Sequence, residues 1–388
     1  LLVLLIIVVL GNFITEGVLL KPMNVSNLIN QNAYIVVLAV GMLICILTGG
    51  NIDLAVGSVV ALVGACAGTF IVTWGMNTYL SVFLCLLVGI AIGAWQGFWI
   101  AYVRIPAFIV TLSGQLVFRG LTLLILNGMT ISPFPADFMG LTTGFIGGAD
   151  ARATIARVVG IVIAVAFCAF QIHNRFARKR KGYDLESIWA MIIRTVVISA
   201  AVIWLFWTLS GYRGVPTVLI TLMLVLMIYA FITSKTVMGR HVYAIGGNEK
   251  AARLSGVKTD RMIFLAYVNM SLLAAIAGIA FAARLNGASP QAGTGFELDA
   301  IGACYIGGAS AYGGIGTVSG SLIGALIMGV LNNAMSIEGI SQNAQQVVKG
   351  LVLLAAVAFD VVSKQRIQIP FISKIFRKRK GSHSLEAV

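Results

Sequence analysis

Apolar runs close to the roughly 20 residues that span a hydrocarbon core recur along the whole 388-residue chain, separated by short polar breaks. They define twelve candidate crossings, near 1 to 14, 31 to 48, 53 to 74, 79 to 102, 107 to 127, 155 to 172, 188 to 209, 215 to 233, 262 to 283, 297 to 309, 315 to 333 and 346 to 363. The tenth is short and glycine-rich. The pattern predicts an all-α polytopic membrane protein, one transmembrane unit over 1–388 that includes short or broken helices.

Two of the runs are interrupted. Thr48 to Gly57 (TGGNIDLAVG) breaks an apolar stretch from about Tyr34 to Thr73, and an altered form returns as Gly295-Phe-Glu-Leu-Asp-Ala-Ile-Gly302. Insertion scales put a carboxylate in hydrocarbon at a cost of about 2.5 to 3.5 kcal/mol, so Asp53 and Asp299 are expected to face a partner, a cavity or a route. Glycine-broken segments in both halves point to discontinuous helices around a central path and to internal duplication. Alternatively, both acids cap helix ends at the breaks, satisfying N–H groups that lipid cannot satisfy. Gly313, Gly314, Gly316, Gly320 and Gly324 are expected to let helix backbones approach closely.

Composition narrows the class. With 59% hydrophobic and 10% charged residues, the chain falls far below the roughly one-quarter charge of soluble domains. The formal charge of +14, from 27 basic and 13 acidic residues, marks membrane orientation and not nucleic-acid contact, because the basic residues collect between and after the apolar runs. Arg104 follows the fourth crossing, and Arg175, Arg178, Lys179, Arg180 and Lys181 follow the sixth. Lys235, Arg240, Lys250, Arg253, Lys258 and Arg261 follow the eighth. Lys364, Arg366, Lys374, Arg377, Lys378, Arg379 and Lys380 follow the twelfth. All follow even-numbered crossings, which predicts that both termini are cytoplasmic.

Five cysteines (Cys45, Cys66, Cys85, Cys168 and Cys304) lie inside apolar runs and read as small core residues. His173, His241 and His383 show no metal-ligand spacing. Leu1 to Leu10 reads as the remainder of a first membrane helix, since no basic region precedes it. Trp95, Trp99, Trp204 and Trp207 are expected as interface anchors or packing groups. Arg119, in the fifth crossing, is expected to pair with an acid, Asp53 or Asp137, or to snorkel outward.

The most informative aqueous segment is 237–259, which holds MGRHVYAIGGNEKAARLSGVKT. Asn248 can cap a short helix from Glu249 to Leu254 that Gly256 ends. Such a helix could dock in a groove of a cytoplasmic partner, or form an ordinary basic loop.

Here a resemblance enters. TGGNIDLAVGSVVAL, IPAFIVTLSG with Phe118 to Gly120, GRHVYAIGGNEKAARLSGV and ELDAIGACYIGGASAYGGIGTVSG occur in that order. Together, from about Asn24 to Asp360, they resemble the membrane permease of bacterial sugar ABC importers, more narrowly the ribose, xylose and multiple-monosaccharide permease family. The charged loop and helix near 174–209, beyond that family's usual core, and GYRGVPT at 211–217 are similar to its xylose and multiple-sugar members.

The resemblance implies a homodimer in a bacterial plasma (inner) membrane. It implies an extracytoplasmic binding protein that delivers a monosaccharide and a separate cytoplasmic ATPase that uses ATP and Mg. No GxxxxGK[ST] phosphate loop occurs in the chain, so no enzyme activity or bound cofactor is expected of this subunit. The segment matching the family's coupling element is Gly239 to Val257, with Gly239, Arg240, Tyr243, Gly246, Gly247, Asn248, Glu249, Arg253, Leu254 and Gly256 as its candidates. For the sugar pathway the candidates are Asn51, Asp53, Gln115, Glu297 and Asp299, with Phe296 and Tyr305 as stacking or gating groups, because hydroxyls need hydrogen-bond partners and sugar faces tolerate aromatic contact. The alternative function is a proton-coupled secondary transporter driven through the intramembrane acids.

Overall fold

The computed structural model describes residues 2–148, 150–182 and 187–365. Arg366, Lys374, Arg377, Lys378, Arg379, Lys380 and His383 lie outside the described residues, as does the side chain of Lys364. In chain order the helices are α1 Leu2–Ile14, α2 Pro22–Leu47, α3 Val56–Gly68 (continued by a π-turn, Thr69–Thr73), α4 Thr78–Ala101, α5 Ala107–Leu126, α6 Ala136–Thr143, α7 Arg152–Arg180, α8 Ile188–Ser210, α9 Val218–Lys235, α10 Val237–Gly247, α11 Glu249–Leu254, α12 Thr259–Leu285, α13 Phe296–Ile306, α14 Val318–Ile337 and α15 Gln342–Gln365.

Ten of the described segments are long and apolar enough to cross a membrane: α2, α3 with its π-turn, α4, α5, α7, α8, α9, α12, α14 and α15. Two expected crossings are shorter. The described part of α1 has 13 residues, and α13 has 11. At about 1.5 Å per residue α13 covers roughly half of a hydrocarbon core.

Local chemistry sets several boundaries. Pro22 opens α2, where a missing N–H costs nothing. The Asn77 side chain caps α4 by accepting from Tyr79 N and Leu80 N, and Thr317 caps α14 through Gly320 N.

The centre of the bundle is α2, α3 and α12, whose apolar windows are largely buried, while those of α7 and α8 face outward. In lipid, helix association gains little from apolar burial and depends on close van der Waals contact, so small residues decide where helices meet. On α4, Gly89, Gly93 and Gly97 recur every fourth residue and form one stripe against α12. A Cβ at Gly93 would lie 2.6 Å from the Tyr267 carbonyl oxygen and from Val268 Cα. This contact holds the two helices backbone to backbone.

The charged 174–209 segment forms the end of α7 and most of α8, a hairpin that packs mainly on itself at the periphery. One tie across it is Arg157, whose Nε donates to Ser210 Oγ at 3.2 Å and whose guanidinium lies 4.7 Å from the Trp207 ring centre.

The break after α2 meets the loop that follows α13. Gly314 N donates to Leu47 O at 3.2 Å, a Cβ on Gly313 would lie 2.6 Å from Gly49, and Ala311 N donates to Asp360 Oδ2 at 3.1 Å. The loops after α2 and after α13 therefore form one interlocked layer.

Candidate functional site

A cavity of about 350 Å³ opens between α2, α12, α14 and α15. It lies at the end of the bundle away from α10 and α11, because α12 begins beside α11 at Thr259 and reaches the cavity only at Phe281 and Arg284. That is about 30 to 40 Å of helix. Seven carboxamides line it: Gln31 and Asn32 from α2, Asn332 and Asn333 from α14, and Gln342, Gln345 and Gln346 from α15.

Its floor is aromatic and ionic. Tyr34 stacks on Phe296 with ring centres 3.7 Å apart and planes 14° from parallel, and Phe281 meets Phe296 edge-on at 5.0 Å. Behind this cluster Asp299 is fully buried. Lys349 Nζ approaches both its oxygens at 3.0 Å, Tyr34 Oη donates to Oδ2 at 3.1 Å, and Asn332 Nδ2 donates to Oδ1 at 3.2 Å. A buried carboxylate is stable when paired and hydrogen-bonded in this way. Asp299 therefore joins α13 to α2, α14 and α15, while the N-terminus of its own helix has no side-chain cap.

The other sequence candidates are spread through the fold. Of the expected pathway residues, Phe296 lines the cavity and Asp299 supports its floor; Asn51, Asp53, Gln115, Glu297 and Tyr305 are not in its lining. Asn51 folds back on its loop, with Nδ2 donating to Thr48 O at 3.2 Å. Asp53 is fully buried, and its Oδ1 accepts from Ala55 N at 2.9 Å in an Asx turn just before α3, whose own N-cap, Ala55, makes no side-chain cap. Gln115 sits half-buried on α5. Glu297 lies beside Gly57, so that a Cβ there would stand 2.7 Å from Glu297 Oε2. Tyr305 is half-buried toward the far end of α13.

Arg119 pairs with neither Asp53 nor Asp137 in a salt bridge. Its Nη1 donates to Pro290 O at 2.8 Å and to Ala292 O at 2.6 Å, which ties the α12–α13 loop to α5. Sequence reasoning missed Tyr34, Arg284, Asn332 and Lys349. For Lys349 the signal was helical spacing: Gln342, Gln345, Gln346 and Lys349 fall at i, i+3, i+4 and i+7, one polar stripe on an apolar helix.

The 237–259 segment folds as α10 and α11. Asn248 Oδ1 accepts from Ala251 N at 3.0 Å and so caps α11, and Gly256 takes φ +87° after it ends. Arg253 lies 2.6 Å from Asp260, which also meets Arg104 at 3.3 Å, and 3.7 Å from Glu249. Arg240, Gly247, Glu249, Arg253 and Leu254 are exposed. Gly239, Tyr243 and Gly246 instead hold α10 to the bundle. Tyr243 Oη donates to Gly316 O at 2.7 Å, and a Cβ on Gly246 would stand 1.9 Å from Leu47 O.

Comparison with known proteins places this arrangement. The family described as "Branched-chain amino acid transport system / permease component" matches residues 24–357, and the chain belongs to that family of polytopic membrane permeases. Among its relatives, it is 40% identical to the xylose transport system permease protein XylH of Escherichia coli (strain K12) over 91% of this chain and 88% of that protein. It is 36% identical to XylH of Haemophilus influenzae over 91% of this chain and 92% of that protein. It is 36% identical to the ribose import permease protein RbsC of Escherichia coli (strain K12), over 87% of this chain and 85% of that protein. No solved structure matches the chain.

Proposed function

We propose that this chain is the transmembrane permease subunit of an ATP-driven importer of monosaccharides, xylose or several related sugars, in a bacterial plasma membrane with both termini cytoplasmic. The observation that carries the reading is 40% identity to a xylose permease along nearly the full length of both chains. In this reading a second copy completes the membrane unit, with lipid around its apolar outer faces. An extracytoplasmic binding protein delivers the sugar at the cavity end. A cytoplasmic ATPase, which binds ATP and Mg, docks on α10 and α11.

The geometry supports a mechanical route for coupling. A force on α10 reaches α2 through Gly246 and Leu47, and the loop before α14 through Tyr243 and Gly316. These loops are interlocked, so displacing one moves the broken helices α3 and α13 together. At the opposite end, sugar entering between the carboxamides meets the Tyr34–Phe296 stack, which must part before the solute moves further.

The test is uptake of radiolabelled monosaccharides into vesicles with ATP inside and binding protein outside, against vesicles carrying only a proton gradient. Uptake that needs both ATP and the binding protein supports the importer and names its sugar. Uptake sustained by the gradient alone replaces it with a secondary transporter.

A further inference from the structure

Arg284 stands in the wall of the cavity, half-buried. Among the described residues no carboxylate forms a salt bridge with it and no oxygen accepts a hydrogen bond from it; Tyr34 shares the cavity wall with it. The other cation of the wall, Lys349, is matched by Asp299. Withdrawing a guanidinium from water without a partner is unfavourable, and its five donors form a planar fork suited to paired oxygens. The rest of the lining offers neutral groups that both donate and accept, over an aromatic floor. A ring that carries several hydroxyls fits this set, since each hydroxyl also donates and accepts and its C–H face packs on an aromatic ring. The volume falls in the range of small-molecule sites.

We propose that this cavity is a sugar subsite within the permease itself, taking a neutral monosaccharide with Arg284 donating to adjacent hydroxyl oxygens. The inference rests on the importer reading for the identity of its ligand. It assigns selectivity to the membrane subunit in addition to the binding protein.

The experiment uses the full chain in lipid nanodiscs with Gln346→Cys, an exposed lining position on α15, and follows its modification by a maleimide. The chain without that substitution is the control for Cys168, the one native cysteine that is not buried. Xylose, ribose, glucose and galacturonate are the probes. A neutral sugar is expected to slow modification of position 346. Adding Arg284→Met should raise the concentration for half-protection roughly tenfold or more, the loss of a charged hydrogen bond, while Arg284→Lys retains part of the protection. If Arg284→Met fails to fold, the Arg284→Lys shift is read instead.

Protection by galacturonate in preference to every neutral sugar overturns the neutral-sugar assignment. Unchanged modification with every probe, in protein that imports sugar with ATP and binding protein, overturns the subsite and leaves the importer reading intact. Protection by neutral sugars in protein whose uptake needs neither ATP nor binding protein overturns the importer reading and supports the subsite.

Discussion

Lys349 of α15 and Asp299 of α13 form a buried ion pair, with Nζ 3.0 Å from a carboxylate oxygen and the carboxylate wholly excluded from solvent. Each charge is tolerable there only because of the other. Removing one partner of such a pair costs about 3 to 5 kcal/mol, whereas removing both charges together is often close to neutral. Asp299→Asn and Lys349→Met are therefore each expected to lower the thermal midpoint in detergent, and the double variant to recover much of the loss. A double variant less stable than either single one contradicts this account.

The α4–α12 contact makes a sharper steric prediction. Gly93→Leu has no room between the Tyr267 carbonyl and Val268, so it is expected to strip folded protein from the membrane. A Cβ on Gly120 of α5 would meet nothing within 4 Å, so Gly120→Leu should accumulate as the unsubstituted chain does. Quantifying monodisperse protein after detergent extraction of both variants compares them directly.

Much of this architecture was legible in the chain. The apolar runs place every long span because hydrocarbon length is a strict constraint, and Asn248 and Gly256 mark α11 through local capping chemistry that needs no tertiary information. Asp53 and Asp299 stood out because lipid penalises a carboxylate. Their partners did not stand out: the spacing of Asp299 and Lys349 in the chain says nothing about which helices adjoin. Nor does sequence distinguish a glycine that frees a docking surface from one that permits a backbone contact. Gly246 belongs to the second kind, while a Cβ on Gly247 would meet nothing within 4 Å.

That distinction decides how the proposed coupling segment should be probed. A bulky residue at Gly246 collides with Leu47 O and the Gly314 backbone, so its effect would report on folding and not on docking. Leu254 is 89% exposed at the end of α11, where an apolar side chain has no intrachain reason to stand. Leu254→Ala is expected to leave the stability of the isolated chain within about 0.5 kcal/mol of the unsubstituted protein while weakening co-purification with the ATPase and lowering ATP-dependent uptake. Undiminished assembly and uptake in that variant, and in Leu254→Asp, would remove α11 from the ATPase interface.

Arg119 ties α5 to the α12–α13 loop. Arg119 Nη1 reaches the carbonyls of Pro290 and Ala292, and hydrogen bonds to a charged group contribute about 1.5 to 3 kcal/mol each. That loop leads directly into α13 and so sets the height of Phe296 and Asp299 beneath the cavity. Arg119→Met removes the donor while preserving much of the apolar stem, and it should increase hydrogen exchange across 286–296 without opening α4 or α12. Arg119→Lys keeps a cationic donor and should exchange at an intermediate rate. Exchange in the loop that is indifferent to both substitutions would mean that turn geometry alone holds it, and that Arg119 acts elsewhere.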